Sequence, residues 1–274
     1  MTQNRKNLTA FLDDLYRRYN HRKFISHDPL RFACRFDEPA DAEIAALLSA
    51  LLAYGRVTHI SNSLEKLFAL IGPSPYDFTI KFDRSKSAKL KDFRHRFNTG
   101  DDLSDLFYVL KTVLKRHSTM QDFFCESYRP EDADVIPALT QFVHSLLDIH
   151  SQISGSPPST GLKYLLADPA KSSPCKRLNL FLRWVVRDDA VDLGLWRSVD
   201  KSHLIIPMDV HMSRITGSLG FHSHKTATLR TALQATAGFA KITPEDPVKY
   251  DFVLCRAGIT GSKSDLNAIE NFAL

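Results

Sequence analysis

Residues 41–55 read DAEIAALLSALLAYG, and this stretch sets the fold class. A helix over AEIAALLSALLAY is apolar on almost all sides, so we expect it at the centre of the core. Asp41 is expected to cap its start and Gly55 to end it. The next helix is expected from about Thr58 to Leu70, stopping before Gly72. Both helices must pack against other elements, because neither can bury its apolar side chains alone.

Helical spacing of apolar residues continues along the rest of the chain. A stripe near the N-terminus predicts an amphipathic helix; its members are Leu8, Phe11, Leu12, Leu15 and Tyr16. Further helices are expected at about 101–116, 120–128, 135–149, 161–166, 175–186, 209–219, 226–237 and 247–257. The sequence SQISGSPPST at 151–160 predicts a loop and the best internal joint. We find no alternation of period two, so the predicted fold class is all-α.

Composition excludes several classes of protein. With 274 residues, 43% hydrophobic and 24% charged, the chain is typical of a globular protein. Its formal net charge of +5 favours a polyanionic partner. The four cysteines are far apart, which argues against a thiolate metal site and favours reduced thiols inside the cell; they are Cys34, Cys125, Cys175 and Cys255. No apolar run approaches the roughly 20 residues that span a membrane, and the residues after Met1 are not apolar, so neither a membrane span nor a secretory segment is expected.

Residues 172–187, SSPCKRLNLFLRWVVR, predict a helix with a polar strip. At 100° per residue, Leu178, Phe181, Leu182 and Val185 share one side. The opposite strip contains Lys176, Asn179, Arg183 and Arg187. The unpaired N–H groups of the first turn suit an anion such as a phosphate. The alternative is a solvated face of a surface helix.

Residues 204–221, LIIPMDVHMSRITGSLGF, place Asp209 at the start of another helix. Met208, Met212, Ile215 and Leu219 then share one face. Aspartate is a preferred N-cap, so the alternative interpretation is that Asp209 only caps the helix.

These two segments together resemble the helix-hairpin-helix DNA glycosylases (the HhH-GPD superfamily). That superfamily carries Gly-x-Gly-x-Lys before its catalytic helix and Val-Asp-x-His-x-x-Arg after it. Here Lys176 opens the helix, and Asp209, His211 and Arg214 spell Asp-x-His-x-x-Arg. Ser172 and Pro174 replace the hairpin glycines. The long spacing from Lys176 to Asp209 is similar to that of the archaeal 8-oxoguanine glycosylase branch. The chain as a whole looks closest to an uncharacterised, mainly bacterial family that carries the sequence signatures NLFLRW and PMDVH, here at 179–184 and 207–211.

The resemblance implies one compact unit, 1–274, made of two helical lobes with a cleft between them. One lobe is expected from 1–40 plus 205–274 and the other from 41–204. The implied activity is that of a DNA glycosylase and AP lyase acting on a damaged base, with oxidised purines among the candidates. The implied partner is damaged double-stranded DNA, bound by a monomer in the cytoplasm or nucleoid, with no cofactor and no metal.

The resemblance also implies roles for individual residues. Lys176 would attack the sugar C1′ and form a Schiff base, with Arg183 and Arg187 lowering its pKa. Asp209 would stabilise the cationic transition state, deprotonate the lysine, or both. The predicted DNA contacts are Lys171, Ser173, Arg177, Lys225 and Thr226, each with a solvated surface position as the alternative. The predicted pocket residues are Tyr54, Arg56, Asn179, Arg183, Trp184, Arg187 and His211. Trp184 and Trp196 would stack on a flipped base, with burial in the core as the alternative.

Two other functions compete with glycosylase chemistry. The first is a non-catalytic protein that binds DNA structures and keeps only the cleft and the basic strip. The second is a metal-dependent nuclease that holds Mg²⁺ through Asp188, Asp189 and Asp192. His222 and His224 lack a third metal ligand nearby, so solvent exposure is expected for them.

Overall fold

The computed structural model describes residues 3–260 and residue 269 of the chain. The remainder of the predicted lobe segments, residues 1–2, 261–268 and 270–274, lies outside the described residues. The α-helices in the described part are α1 Gln3–Tyr19, α2 Leu30–Ala33, α3 Pro39–Leu51, α4 Val57–Ile71, α5 Pro75–Ile80, α6 Arg84–Leu90, α7 Gly100–Arg116, α8 Met120–Cys125, α9 Ile136–Ser154, α10 Thr160–Leu165, α11 Lys176–Val186, α12 Val210–Ser218, α13 Leu229–Ala240 and α14 Asp251–Thr260. Short 3₁₀ helices occupy Arg22–Ile25, Pro169–Lys171 and Lys201–His203.

The structure confirms the predicted all-α class. Within residues 3–260 the only named strands are β1 Arg94–His95 and β2 Asn98–Thr99, which pair antiparallel in a small hairpin. These strands are not predicted from the sequence, because two residues are too short to show alternation. No helix in the described part of the chain has the length and apolarity needed to cross a bilayer.

Helix α3 lies at the centre of the core, as predicted, but it begins and ends earlier than expected. Nearly all of its side chains are buried, and α2 and α11 both pack against it. Its start is set by Pro39 in the first turn, whose fixed φ suits a helix N-terminus. The predicted cap by Asp41 is therefore wrong. Asp41 instead accepts hydrogen bonds from the Ser74 hydroxyl at 2.7 Å and the Tyr76 N–H at 2.8 Å, which fixes the start of α5.

Glu43 is a buried acid on α3 that joins three parts of the chain. Its carboxylate accepts hydrogen bonds from the Met120 N–H at 3.0 Å, the Gln121 N–H at 3.2 Å and the Trp196 indole at 2.6 Å. Burial raises the pKa of Glu43, and these hydrogen bonds offset part of that rise. Trp196 is therefore a core residue, in line with the alternative interpretation of its sequence position.

The predicted lobe segments share one hydrophobic core. Helix α1 packs against α14, and α12 contacts both α13 and α14. In the middle segment α7 packs on α9, and α5 bridges α3 and α7. The buried apolar side chains form a single continuous cluster that includes both segments. The predicted joint at 151–160 is shorter than expected, because α9 continues to Ser154 and ends at Gly155 with a φ of 67°.

Candidate active site

Lys176 and Asp209 are brought together at the N-termini of two helices. Lys176 is the first residue of α11, and Asp209 is the N-cap of α12, where its side chain accepts the N–H of Met212 at 2.8 Å. The Lys176 Nζ lies 2.8 Å from Asp209 Oδ2. Their side chains are 37% and 32% exposed, so a ligand can reach both. Asp209 caps its helix and pairs with the lysine through different contacts, so the two interpretations from sequence are compatible.

The ion pair decides the protonation of Lys176. Burial lowers the pKa of its amine, but the nearby Asp209 carboxylate raises it more, leaving it above the ordinary value. Burial raises the pKa of Asp209, but Lys176 and the Met212 N–H lower it by more, so the pKa lies below its ordinary value. The expectation that neighbouring cations depress the lysine pKa is therefore wrong. In the free protein this site holds an ammonium and a carboxylate.

Arg183 and Arg187 face carboxylates on the buried side of α11. Arg183 binds Asp192 at 3.2 Å and also donates to Asp251. Arg187 donates to Asp192, to Asp189 at 2.9 Å and to Asp246 at 3.0 Å. Burial lowers the pKa of both guanidiniums, but the carboxylates raise it above the usual value. Each arginine is thus neutralised by acids and does not act as a free cation beside Lys176.

Arginine side chains bind the three aspartates that were predicted to hold a nuclease metal ion. Asp189 and Asp192 bind Arg187, while the exposed Asp188 pairs with Arg197 at 2.9 Å. In the described part of the chain, no group of three or more His, Cys, Asp or Glu side chains is placed to hold a metal ion. The predicted Mg²⁺ site is therefore wrong, because Asp189 and Asp192 are counter-charges of the buried Arg187 and Asp188 pairs with the exposed Arg197.

A cavity of about 520 Å³ opens at the ion pair. The predicted site residues in its wall are Tyr54, Lys176, Arg177, Arg183, Asp209 and His211. Its lining comes from both predicted lobe segments: 53–60 and 176–183 on one side, 27–29, 207–211 and 251–256 on the other. A second cavity of about 330 Å³ shares Lys176 and Arg177 with the first and extends to Ser173 and Tyr164. Lys176 is therefore in the wall of both cavities.

Four predicted pocket residues lie elsewhere. Trp184 has no exposed surface and belongs to the core. Asn179 is buried, and its amide donates to the Pro174 carbonyl at 3.0 Å, which supports the turn before α11. Arg187 is held by the buried acids, and Arg56 is exposed at the N-cap of α4 without lining either cavity. The polar strip on α11 therefore faces two environments, with Lys176 at the cavity and Arg187 in the protein interior.

Among the predicted DNA contacts, Lys171 is exposed and Ser173 is half-buried, with its hydroxyl accepting the Cys175 N–H at 3.2 Å. Arg177 is only 9% exposed, and it donates to the Leu51 carbonyl at 2.8 Å and to the Tyr164 carbonyl. Its guanidinium is thus used inside the protein, whereas the sequence predicted a phosphate contact.

Lys225 and Thr226 are exposed but do not open a helix, because α13 starts at Leu229 behind a cap made by Thr228 and Thr231. The start of α13 is tied to the turn before α11, since the Leu229 N–H donates to the Ser172 carbonyl at 3.1 Å.

The turn before α11 uses the left-handed backbone without glycine. Ser172 has a φ of 60° and Cys175 a φ of 44°. Such conformations cost about 1–2 kcal/mol per residue outside glycine. Ser172 thus adopts a backbone region that glycine enters at no steric cost.

Helix α14 supplies cavity residues that the sequence analysis missed. Asp251, Phe252 and Cys255 line the cavity, and Asp251 is 2% exposed. Within the described residues, Asp251 Oδ1 and His211 Nε2 are buried and have no hydrogen-bond partner. The i, i+4 spacing of Asp251 and Cys255 places them on one helix face, but nothing local indicates that this face meets Lys176.

The chain belongs to a family described as a protein of unknown function (DUF2400), whose model matches residues 28–260. No curated protein and no solved structure matches it. The matched range includes both Lys176 and Asp209.

Proposed function

We propose that this member of the DUF2400 family is a DNA base-excision glycosylase with AP lyase activity, in which Lys176 is the nucleophile. The observation that carries the proposal is the Lys176–Asp209 pair, 2.8 Å apart in the wall of an open cavity. A nucleophile within hydrogen-bond reach of a base is the arrangement that covalent catalysis needs. The resemblance to the helix-hairpin-helix glycosylases assigns these same two residues.

The proposed reaction starts from the neutral amine. Lys176 Nζ attacks C1′ of the damaged nucleotide, and the bond from C1′ to the base nitrogen breaks. The base leaves with the electron pair and takes up a proton. Lys176 Nζ, now bonded to C1′, then loses a proton. The C1′–O4′ bond opens as Nζ forms a double bond to C1′, and O4′ takes up a proton, which gives a protonated Schiff base. Loss of a proton from C2′ expels the 3′ phosphate and cuts the strand by β-elimination.

Asp209 has two uses in this reaction. Its carboxylate can accept the proton that leaves Lys176, because it lies within hydrogen-bond distance of Nζ. It also places a negative charge beside the sugar as positive charge develops there. Since the pKa of Lys176 is raised, the amine of the free protein must lose a proton before it can attack. Alkaline pH should therefore favour the reaction.

The larger cavity suits an extruded base. Its volume lies within the range of ordinary ligand pockets, and its wall includes the rings of Tyr54 and Phe252. Asp251 and His211 line the cavity, and their buried Oδ1 and Nε2 atoms, which lack hydrogen-bond partners, would bind the polar edge of a base that enters. A base must leave the duplex to reach such a pocket, and damaged or mismatched bases leave most readily. The proposed substrate class is therefore a damaged base, with oxidised purines as the first candidates.

Borohydride trapping tests the proposal. The purified protein would be incubated with labelled duplexes carrying 8-oxoguanine, uracil, an oxidised pyrimidine or an abasic site, with sodium borohydride present. We expect a covalent adduct with one lesion, absent in Lys176→Gln and strongly reduced in Asp209→Asn. Lys115→Gln is the matched control, since this exposed lysine on α7 lies outside both cavities, and it should trap as the wild type does. An adduct that survives in Lys176→Gln, or no adduct with any duplex, would refute the assignment.

One observation favours a second candidate function. The resting ion pair keeps Lys176 protonated, which suits a protein that binds DNA without chemistry. In that case the ammonium would contact a phosphate or an abasic sugar. Lys176→Gln would then weaken binding to a damaged duplex modestly, while the wild type would leave base and strand intact.

A further inference from the structure

The tip of the β1–β2 hairpin exposes an aromatic side chain beside the candidate active site. Arg96 and Phe97 form the two-residue turn between the strands, and Phe97 is 64% exposed. Arg96 has a φ of 51°, a backbone region that favours glycine at the first position of such a turn. The chain thus accepts a strained arginine in the position that turns Phe97 toward solvent.

The hairpin is held rigidly from below. The His95 ring bonds the Ser63 hydroxyl at 2.8 Å and the Tyr54 carbonyl at 3.1 Å. The Asn98 amide donates to the Gly161 carbonyl at 2.8 Å, and its oxygen accepts the Tyr54 hydroxyl at 2.6 Å. Both hairpin side chains are fully or almost fully buried. Phe97 is therefore presented by a fixed platform that joins α4 and α10.

A continuous set of ring contacts connects Phe97 to the larger cavity. The Phe97 ring meets Tyr164 edge-on with centroids 5.6 Å apart, and Tyr164 meets Tyr54 at 5.0 Å. The Arg177 guanidinium lies 4.6 Å from the Tyr164 ring and 4.9 Å from the Tyr54 ring. Tyr54 itself lines the cavity. The exposed ring is thus two aromatic contacts away from the cavity that holds Lys176.

Cationic side chains surround this apolar tip. The Arg96 guanidinium lies 5.3 Å from the Phe97 ring, and the exposed Arg94 belongs to the same hairpin. An apolar wedge flanked by arginines is the combination by which proteins enter a DNA base stack while binding its phosphates. A single exposed aromatic residue is unremarkable by itself. Here it is combined with a strained turn, a rigid support and a direct line of rings to the cavity.

We propose that Phe97 is a wedge that inserts into the base stack of duplex DNA next to the nucleotide turned into the cavity. The inference rests on the proposed function, since it takes the partner to be a damaged duplex. Phe97 would fill the space that the extruded nucleotide leaves, and so hold the duplex open. It is a positioning residue, because the bond changes take place at Lys176.

The test uses a duplex with a tetrahydrofuran abasic analogue next to 2-aminopurine, whose fluorescence rises when it unstacks. This analogue cannot form a Schiff base, so the signal reports stacking without chemistry. We expect a fluorescence rise with the wild type that is lost in Phe97→Ala, together with about a tenfold weaker affinity by anisotropy, the factor of one lost stacking contact. Phe97→Trp should keep the rise, and its indole fluorescence should be quenched on binding. Ile153→Ala, which removes a 46% exposed side chain outside both cavities, should behave as the wild type.

Unfolding midpoints of all variants should agree, because Phe97 is largely exposed. An unchanged fluorescence rise in Phe97→Ala, no rise with the wild type, or an equal loss in Ile153→Ala would overturn the inference. Borohydride trapping on a natural abasic site separates it from the proposed function. A fluorescence rise without any adduct leaves the wedge in place and refutes the lysine chemistry. Equal adducts from wild type and Phe97→Ala, without a fluorescence difference, leave the chemistry in place and refute the wedge.

Discussion

Replacing Arg187 by methionine removes the cation that three buried carboxylates share. Arg187 is 3% exposed and binds Asp189 at 2.9 Å, Asp246 at 3.0 Å and Asp192. Methionine keeps much of the side-chain volume without the charge, so the variant isolates the electrostatic contribution. We expect a large loss of stability, because three acids then face one another in the interior.

The magnitude follows from the geometry. Removing one partner of a buried ion pair costs about 3–5 kcal/mol, and because three acids lose Arg187 while Arg183 still binds Asp192, we expect a loss of about 5 kcal/mol. Domains are stable by only about 5–15 kcal/mol, so the loss is a large share of the total. At about 2–4 °C per kcal/mol, the thermal midpoint should fall by about 10–20 °C.

The pH dependence of the loss identifies its cause. Without Arg187 the buried acids take up protons more readily, so their pKa values rise in the folded variant. A folded state that binds more protons than the unfolded one loses stability as pH rises. In the wild type, burial already raises the pKa of Asp192 from 3.8 to about 6. Protonation of Asp192 therefore stabilises the folded state fully below pH 3.8, the pKa in the unfolded chain. This stabilisation is lost as the pH rises through about 6. The deficit of Arg187→Met should therefore be smaller at pH 5 than at pH 8.

Urea unfolding of wild type and variant at pH 5 and pH 8 measures these differences. Arg197→Met is the matched control, because Arg197 pairs with Asp188 at the same 2.9 Å while the two side chains are 72% and 58% exposed. Exposed pairs contribute about 0–1 kcal/mol, so this variant should be nearly as stable as the wild type. A loss below about 2 kcal/mol for Arg187→Met, or an equal loss at both pH values, would refute the reasoning about buried acids.

Three further predictions concern the candidate site and the core. Adduct formation should increase with pH above 7, because the pKa of Lys176 is raised. Asp209→Asn should move this increase to lower pH and reduce the maximal rate of adduct formation. Trapping across a pH series measures both effects. EDTA should leave adduct formation unchanged, and a loss that Mg²⁺ restores would contradict the lysine mechanism. Asp41→Ala should lower the free energy of unfolding by about 1–3 kcal/mol in a urea titration, because the Ser74 hydroxyl and the Tyr76 N–H lose their acceptor. A stability within error of the wild type would show that water replaces that acceptor.

Local patterns in the sequence were sufficient for the secondary structure near the site. The apolar run after Asp41 predicted a buried helix, and the structure places α3 at the centre of the core. The predicted starts of α11 and α12, at Cys175 and Asp209, lie within one residue of the observed starts at Lys176 and Val210. Helix periodicity and capping depend on neighbours a few positions away, so they can be read from a single chain.

The destination of each polar side chain required the tertiary structure. Lys176, Asn179, Arg183 and Arg187 form one strip on α11, yet Lys176 meets Asp209 at the cavity while Arg187 meets buried acids. Periodicity shows which residues share a face, but it does not show whether water, a cavity or another charge covers that face.

The same limit applies to Asp251 and Phe97. Asp251 reaches the cavity because α14 returns to α12, and Phe97 adjoins Tyr54 because a short hairpin is fixed to α4 and α10. The sequence by itself determined the longer helices, the buried centre and the lysine and aspartate at two helix starts, but not the short helices α2, α5 and α6. Only the tertiary structure decided which charges pair and which ring is left exposed, because such contacts join residues that are far apart in the chain.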